Sequence, residues 1–389
     1  MAKKYKTPEV YIEEITQFPP SIAEAETSVA VFIGYTEKAI ENGASLLQQP
    51  KSIKSLPEYQ NFFGGAPGAT QRFCLFESVK SFYENGGGKC YIISAGNYAN
   101  PISFTELNTG LVNSRTVPAA ILTIPDAVYL SSASEFFSLQ KNMLQQCADL
   151  RTRFSILDTP EPSSNILNDI QQFRDGTGNH NLSWGAAYYP WLILDTAKKI
   201  PPCGAIAGIY AQVDGTGGVW KAPANVSVKG ISGLTNTITN SLQDIMNVHA
   251  SGKSINALRF FTGKGILVWG ARTLNGNDNE WRYISVRRFF MMAEESITKA
   301  CQYFVFEPND SNSWTKTKSM IENYLLPKWR DGALAGVKPE QGFFVHVGLG
   351  QTMTAEDILN GRMVVDIGMA VLRPAEFIIL RVSIKMQIN

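Results

Sequence analysis

Hydrophobic and polar positions alternate most strictly near the end of the 389-residue chain, in Phe377–Ile388 (FIILRVSIKMQI). Ile378, Leu380, Val382, Ile384, Met386 and Ile388 are apolar. After Ile379 the positions between them are polar: Arg381, Ser383, Lys385 and Gln387. Period two predicts a β-strand with one buried and one wet face. The run is about twice the usual strand length of ~5–6 residues, and only Asn389 follows it, so its partner must come from upstream or from another chain. A shorter strand pattern, Glu9-Val10-Tyr11-Ile12-Glu13-Glu14-Ile15, follows Pro8 at the other end. Two readings stand. Each terminal strand closes a sheet in its own subunit, or each is donated to a neighbouring copy by β-augmentation.

Between the termini the period switches repeatedly between that of a strand and that of a helix. Ser28–Tyr35 is a continuous apolar run, as in a strand buried on both faces. Helical spacing follows in Leu56–Gly64 and Phe73–Tyr83, the second ended by Asn85-Gly86-Gly87-Gly88. Cys90–Ser94, Ala119–Ile124 and Arg153–Leu157 read as strands, with helices predicted over Ser131–Leu150 and Ile166–Phe173. This repetition predicts an α/β domain with a largely parallel sheet. Pro201-Pro202 opens a small-residue helix suited to close packing on a sheet. Phe260–Thr273 reads as strand, Tyr283–Phe304 as helix, and Trp314–Leu326 as a helix broken by Pro327. Phe343–Val347 and Arg362–Val371 are further closing strands.

Composition narrows the class. The chain is 44% hydrophobic and 18% charged with a formal net charge of +1, which is ordinary globular composition without a bulk-charge case for nucleic acid or membrane. The start lacks the apolar core of a secretory signal, and no run of ~18 apolar residues predicts a transmembrane helix. Cys74, Cys90, Cys147, Cys203 and Cys301 are scattered and odd in number, which predicts reduced core thiols and folding in a cytoplasm.

Several motifs together resemble one family. They are the run Ala186–Asn225, Trp269-Gly270-Ala271-Arg272-Thr273, Arg287-Arg288, Glu307-Pro308-Asn309 and Arg373-Pro374-Ala375-Glu376-Phe377, with Asn85-Gly86-Gly87 and Pro8–Glu14. Over nearly the whole chain this pattern resembles the contractile tail sheath proteins of phage tails, R-type bacteriocins and phage-tail-like extracellular injection systems. Glu9 departs from it, standing where the family usually has Gly. The resemblance implies a subtilisin-like α/β domain without protease chemistry (residues 26–275, outward-facing). It also implies an α+β carboxy-terminal sheath core domain (276–372) and β-strand arms at 1–25 and 373–389. It implies strand exchange through Val10, Tyr11, Ile12, Ile378, Leu380, Val382, Ile384 and Met386. The implied partners are further copies of the chain in stacked rings, an inner tube, and baseplate and terminator or cap proteins. Assembly would occur in a bacterial cytoplasm, without nucleic acid or membrane insertion. The basic stretch Trp314–Lys338 supplies candidate tube contacts in Lys316, Lys318, Lys328, Arg330 and Lys338, with Pro327 and Gly332 turning the helix end so that Lys328 and Arg330 project together.

Catalysis finds little footing. Only His180, His249 and His346 are present, none in a subtilisin-like context, and no matching serine loop exists. His346 lies in a predicted strand and reads as structural. Ser251-Gly252-Lys253-Ser254 resembles the end of a phosphate loop, but the first glycine of that motif falls on Asn247, so a plain loop is expected. Asp214-Gly215-Thr216-Gly217-Gly218 lacks dinucleotide spacing, and no His/Cys cluster suggests a metal. Arg287-Arg288 reads as an anion site or, as such pairs more often are, a solvated or salt-bridged helix face. With the family resemblance, this predicts a structural sheath subunit with no cofactor and no enzymatic role. The alternatives are another tail or baseplate assembly protein, or a hydrolase of subtilisin fold.

Overall fold

The computed structural model describes residues 21–68, 70–377 and 379. They fall into two compact units, a larger one (24–295 with 371–377 and 379) and a smaller one (296–370 with 21–23). In chain order the larger unit contains β1 (Ala30–Thr36), β2 (Lys51–Ile53), α1 (Leu56–Phe63), α2 (Leu75–Glu84), β3 (Cys90–Asn97), α3 (Phe104–Asn113), β4 (Ile121–Thr123), α4 (Ala133–Leu150), β5 (Phe154–Asp158) and α5 (Ile166–Gly176). It continues with β6 (Gly185–Tyr189), α6 (Cys203–Gly217), β7 (Val226–Ser227), α7 (Asn240–Asn247), β8 (Ile255–Phe261) and β9 (Gly265–Trp269), and then most of α8 (Ile284–Cys301).

Among the described residues nine strands form one sheet in the order β7-β9-β8-β6-β5-β4-β1-β3-β2. Every neighbouring pair from β8 to β3 is parallel, and antiparallel strands finish both edges. The continuous apolar runs are explained by this order. All of β1 and all of β5 are buried, as two-sided helix cover requires. The predicted strand Phe260–Thr273 is instead a hairpin. The strand begins earlier, at Ile255, and the chain reverses where Gly263 and Gly265 take φ of +78° and +77°, a conformation open to glycine at little steric cost.

Helix α6 is buried along most of its length, but its glycines face α2 more than the sheet. A Cβ on Gly204 would lie 2.2 Å from the Ser78 carbonyl oxygen, and one on Gly208 2.4 Å from that of Phe82. Asn85 closes the end of α2 and ties in the following chain. Its amide donates to the Ser81 and Lys229 carbonyls at 2.8 and 3.2 Å and accepts from Lys229 N at 2.9 Å. Arg287 and Arg288 are both buried rather than solvated. Arg288 forms a bidentate pair with Asp214 in the last turn of α6, and the Arg287 guanidinium lies between the rings of Trp184 and Trp281, 4.1 and 3.7 Å from their centroids.

In the smaller unit, α9 (Ser311–Arg330) is followed by β10 (Phe343–His346), α10 (Ala355–Leu359) and β11 (Asp366–Met369). The Asp310 side chain caps α9 through Ser313 N at 2.9 Å. Thr317, Met320, Ile321, Tyr324 and Leu325 form its buried stripe. Pro327 does not break this helix, which continues to Arg330. The ring is on the exposed side, and the buried stripe holds the helix together through the one missing N–H bond. Strands β10 and β11 pair antiparallel, with Phe343 opposite Met369 and His346 opposite Asp366. Arg362 lies outside β11, since it is held back to Asp357 of α10. Phe377 is not in a strand, and the rest of the predicted strand Phe377–Ile388, apart from Ile379, lies outside the described residues.

Two buried carboxyls lie at the carboxyl ends of β4 and β5, Asp126 just after the first and Asp158 as the last residue of the second. Burial pushes Asp126 up to about 6, although N–H donors from Tyr35 and Cys74 oppose it. Burial pushes Asp158 up to about 7, opposed by the Cys203 thiol and N–H. A carboxyl raised in the folded chain binds its proton there first. Stability from Asp158 is therefore gained as pH falls from about 7 toward the unfolded value near ~4 and is absent above it. Comparing thermal or urea unfolding of the parent and Asp158→Asn at pH 8 and pH 5 should show the difference shifting toward the parent at pH 5, by on the order of 2–4 kcal/mol. A difference independent of pH would contradict the raised value.

Candidate functional site

In an open parallel sheet, ligands usually bind beyond the strand carboxyl ends, where the strand order reverses. Here that point lies between β1 and β4. The Asp126 side chain fills it, accepting N–H from Tyr35 at 2.6 Å, Cys74 at 2.7 Å and Leu75 at 3.1 Å. These donors are the end of β1 and the start of α2, so the carboxylate satisfies orphan helix-terminal groups. Cys74 and Cys203 nearby are buried, and burial holds both thiols well above their ordinary range. Cys90 and Cys147 are also buried free thiols, while Cys301 is half-buried.

The motifs singled out in the sequence sit elsewhere. His249 lies in a loop against Ser251, and His346 ends β10 with its ring stacked on Phe344. Ser251–Ser254 is a loop, and the buried Lys253 ammonium donates inward to the Arg174 carbonyl. Asp214–Gly217 belong to the final turn of α6. No group of three His, Cys, Asp or Glu side chains among the described residues is arranged to hold a metal.

Of the proposed tube contacts, Lys316, Lys318, Lys328 and Arg330 lie on α9 and Lys338 just beyond it. Because α9 continues past Pro327, Lys328 and Arg330 do not project together: two positions on a helix are about 200° apart. Lys328 lies over the Tyr324 ring at 5.8 Å, and Lys318 pairs with Glu322 at 3.8 Å. Lys316 and Arg330 are both exposed and are fourteen positions apart, which brings them to about the same side of the helix. Lys338 is exposed as well. Val10, Tyr11, Ile12, Ile378, Leu380, Val382, Ile384 and Met386 lie outside the described residues.

The most developed polar arrangement of the larger unit is at the root of the carboxy-terminal segment. Arg272 donates from Nε to Glu376 Oε1 at 2.8 Å and from Nη2 to Oε2 at 2.5 Å, and Tyr283 adds its hydroxyl to Oε2 at 3.3 Å. Only 4% of the Arg272 side chain and 16% of the Glu376 side chain are exposed. The remaining nitrogen, Nη1, donates to the Gly276 and Asn247 carbonyls at 3.0 and 3.4 Å. Hydrogen bonding to Glu376 raises the guanidinium pKa against the opposing effect of burial.

The backbone of Arg272 is fixed in turn by the buried Asn256 of β8. That amide accepts from Arg272 N at 2.9 Å and donates to Arg272 O at 2.8 Å and to Ala187 O of β6 at 3.2 Å. Gly270 leaves room for it, since a Cβ there would lie 2.7 Å from Asn256 Oδ1. Beside the pair is a cavity of about 660 Å³, lined in part by Trp269, Arg259, Gln243, Glu376 and Phe377. Sequence reasoning noted both motifs, around Arg272 and around Glu376, without pairing them. Two opposite charges in apolar surroundings, 104 positions apart, were the available signal.

Comparison with known proteins places these motifs. Residues 107–274 match the phage tail sheath protein central domain, and residues 276–385 match the phage tail sheath C-terminal domain. The tail sheath protein of Vibrio phage KVP40 is 30% identical over 134 residues, which are 34% of this chain and 19% of that protein, so the match spans about a fifth of the curated relative. Two solved structures match over nearly the full length. The sheath complex of the extracellular contractile injection system PVC, in its contracted state, is 33% identical, covers 98% of each chain and has a TM-score of 0.76. The contracted helical sheath of the anti-feeding prophage AFP is 32% identical, covers 97% of this chain and 99% of the other, and has a TM-score of 0.77. The chain belongs to the phage tail sheath protein family.

Proposed function

We propose that this chain is the repeating subunit of a contractile sheath that polymerises around an inner tube and drives it through a target envelope as the sheath shortens. The observation that carries the reading is likeness over nearly the full length, at 32–33% identity, to the sheaths of the extracellular contractile injection system PVC and of the anti-feeding prophage AFP. The role is structural rather than enzymatic, and the filled crevice at Asp126 fits it. Assembly takes place in a bacterial cytoplasm, with baseplate and terminator or cap proteins at the two ends. The subunit then forms part of a tail or an extracellular phage-tail-like particle.

Within the subunit, residues 26–275 are a subtilisin-like α/β domain facing outward, 276–372 the sheath core domain, and 1–25 and 373–389 strand arms. The meeting of the two family segments at 274 and 276 supports the middle division. Subunits must rotate past one another during shortening without separating, and donated strands meet that need. The acceptor is the β10–β11 pair. A two-stranded sheet alone is marginal in water, and among the described residues this one has no third strand. The alternating run from Ile378 to Ile388 suits an open edge of that pair. About eight ladder hydrogen bonds at ~0.5–1.5 kcal/mol net each would hold it by several kcal/mol, enough to persist while weaker lattice contacts break. Of the basic set Lys316, Lys318, Lys328, Arg330 and Lys338, the tube-facing side is the face of α9 that carries the exposed Lys316 and Arg330, whose exposed ion pairs at ~0–1 kcal/mol each can release on firing.

Deletion of residues 378–389 should leave a folded subunit that does not form tubes by size-exclusion chromatography and negative-stain imaging. Normal tubes from the truncated chain would refute strand donation. Reversal of Lys316 and Arg330 to glutamate should leave the subunit fold intact while lowering the fraction of tube-filled sheaths severalfold. An unchanged fraction in micrographs of co-expressed sheath and tube would remove this helix face from the tube contact.

A further inference from the structure

We infer that the Arg272–Glu376 pair is the anchor that aims the carboxy-terminal strand, and thus a positioning pair for assembly. The inference rests on the strand-donation reading above and adds what fixes the donor's direction. The carboxy-terminal segment has returned to the larger unit by residue 371, and Glu376 lies two positions before Ile378, where the alternating run begins. Around it, Leu372, Phe377 and Ile379 are exposed, so side-chain burial contributes little to holding this stretch. The polar contacts therefore decide where it lies.

Their geometry is directional. A bidentate guanidinium–carboxylate pair fixes the carboxylate plane as well as its distance, which a lysine at the same place would not do. Arg272 cannot swing to follow a moving arm, because Nη1 is held by the Gly276 and Asn247 carbonyls and the backbone by Asn256. The Tyr283 hydroxyl approaches the carboxylate from a third direction. The arm is thus pinned at one residue to the part of the sheet built from β6 and β8. On the strand-donation reading, the run from Ile378 to Ile388 then starts toward a second copy from a fixed point. An arm of the same sequence without the pin would search a larger volume, and its effective concentration at the acceptor edge would fall.

Glu376→Gln in the full-length chain tests this, with Glu376→Asp as a second variant that keeps the charge but shortens the reach. Hydrogen exchange on the unassembled subunit should rise at least tenfold in peptides covering 371–377 and remain unchanged in peptides from β1, β5 and α6. Tube yield under matched conditions should fall at least tenfold for Gln and by less for Asp. Faster exchange with normal tube yield would show that the pair does not position the strand, and unchanged exchange would show that it does not hold the arm. Should Gln disturb the core peptides, the Asp variant decides on the same two readouts. The 378–389 deletion separates the two ideas. If it still forms tubes, strand donation itself fails. If it forms none while both Glu376 variants assemble normally, only the anchoring role fails.

Discussion

A buried ion pair on a largely exposed segment is the constraint on which the placing of the carboxy-terminal strand turns. Taking two charges out of water is expensive, and a lone buried pair is weak evidence of stability. The Arg272–Glu376 pair makes more sense as a directional device. Its desolvation is offset by a full set of partners: two Arg272 donors on the carboxylate, a tyrosine hydroxyl, and two carbonyls on the remaining guanidinium nitrogen. Asn256 and Gly270 exist locally to keep the arginine backbone in place. The sheet thereby does for the chain terminus what a core usually does for a helix: it fixes one point from which the rest is aimed.

The larger unit supplies the rigidity behind that point. Nine strands covered by helices bury the β1 and β5 runs completely, and α6 approaches α2 closely because Gly204 and Gly208 carry no side chain. The Arg288–Asp214 pair and the Arg287 guanidinium between two tryptophans bind α8 to this body. The same architecture in other proteins opens a ligand crevice at the reversal of strand order. In this chain Asp126 occupies that crevice and uses its oxygens on backbone N–H groups, which ties the end of β1 to the start of α2.

Much of this was legible in the sequence. The switch between period two and helical spacing located β1, α1, α2, β3, α4 and β5 to within a few residues, because buried parallel strands and amphipathic helices carry strong local patterns. Errors arose where tertiary context overrode local signals. Pro327 was expected to end α9, yet the ring faces water and the buried stripe carries the helix to Arg330. Gly263 and Gly265 sit inside an apolar stretch and turn it into a hairpin. Arg287 and Arg288 look like a solvated pair until the aromatic rings and Asp214 that surround them are known. The anchor was missed for a different reason: each half lies in a recognisable motif, but nothing local connects position 272 to position 376.

The central claim is that the terminal strand of one copy completes the sheet of another. The most direct measurement is a cryo-electron microscopy map of the assembled tube at a resolution that permits the chain to be traced continuously from Phe377 to Asn389. The account predicts that residues 378–388 of one subunit run along an edge of the Phe343–His346 and Asp366–Met369 pair of a different subunit, with Glu376 still seated on Arg272 of its own. A trace in which those residues pair with strands of the same subunit would contradict it.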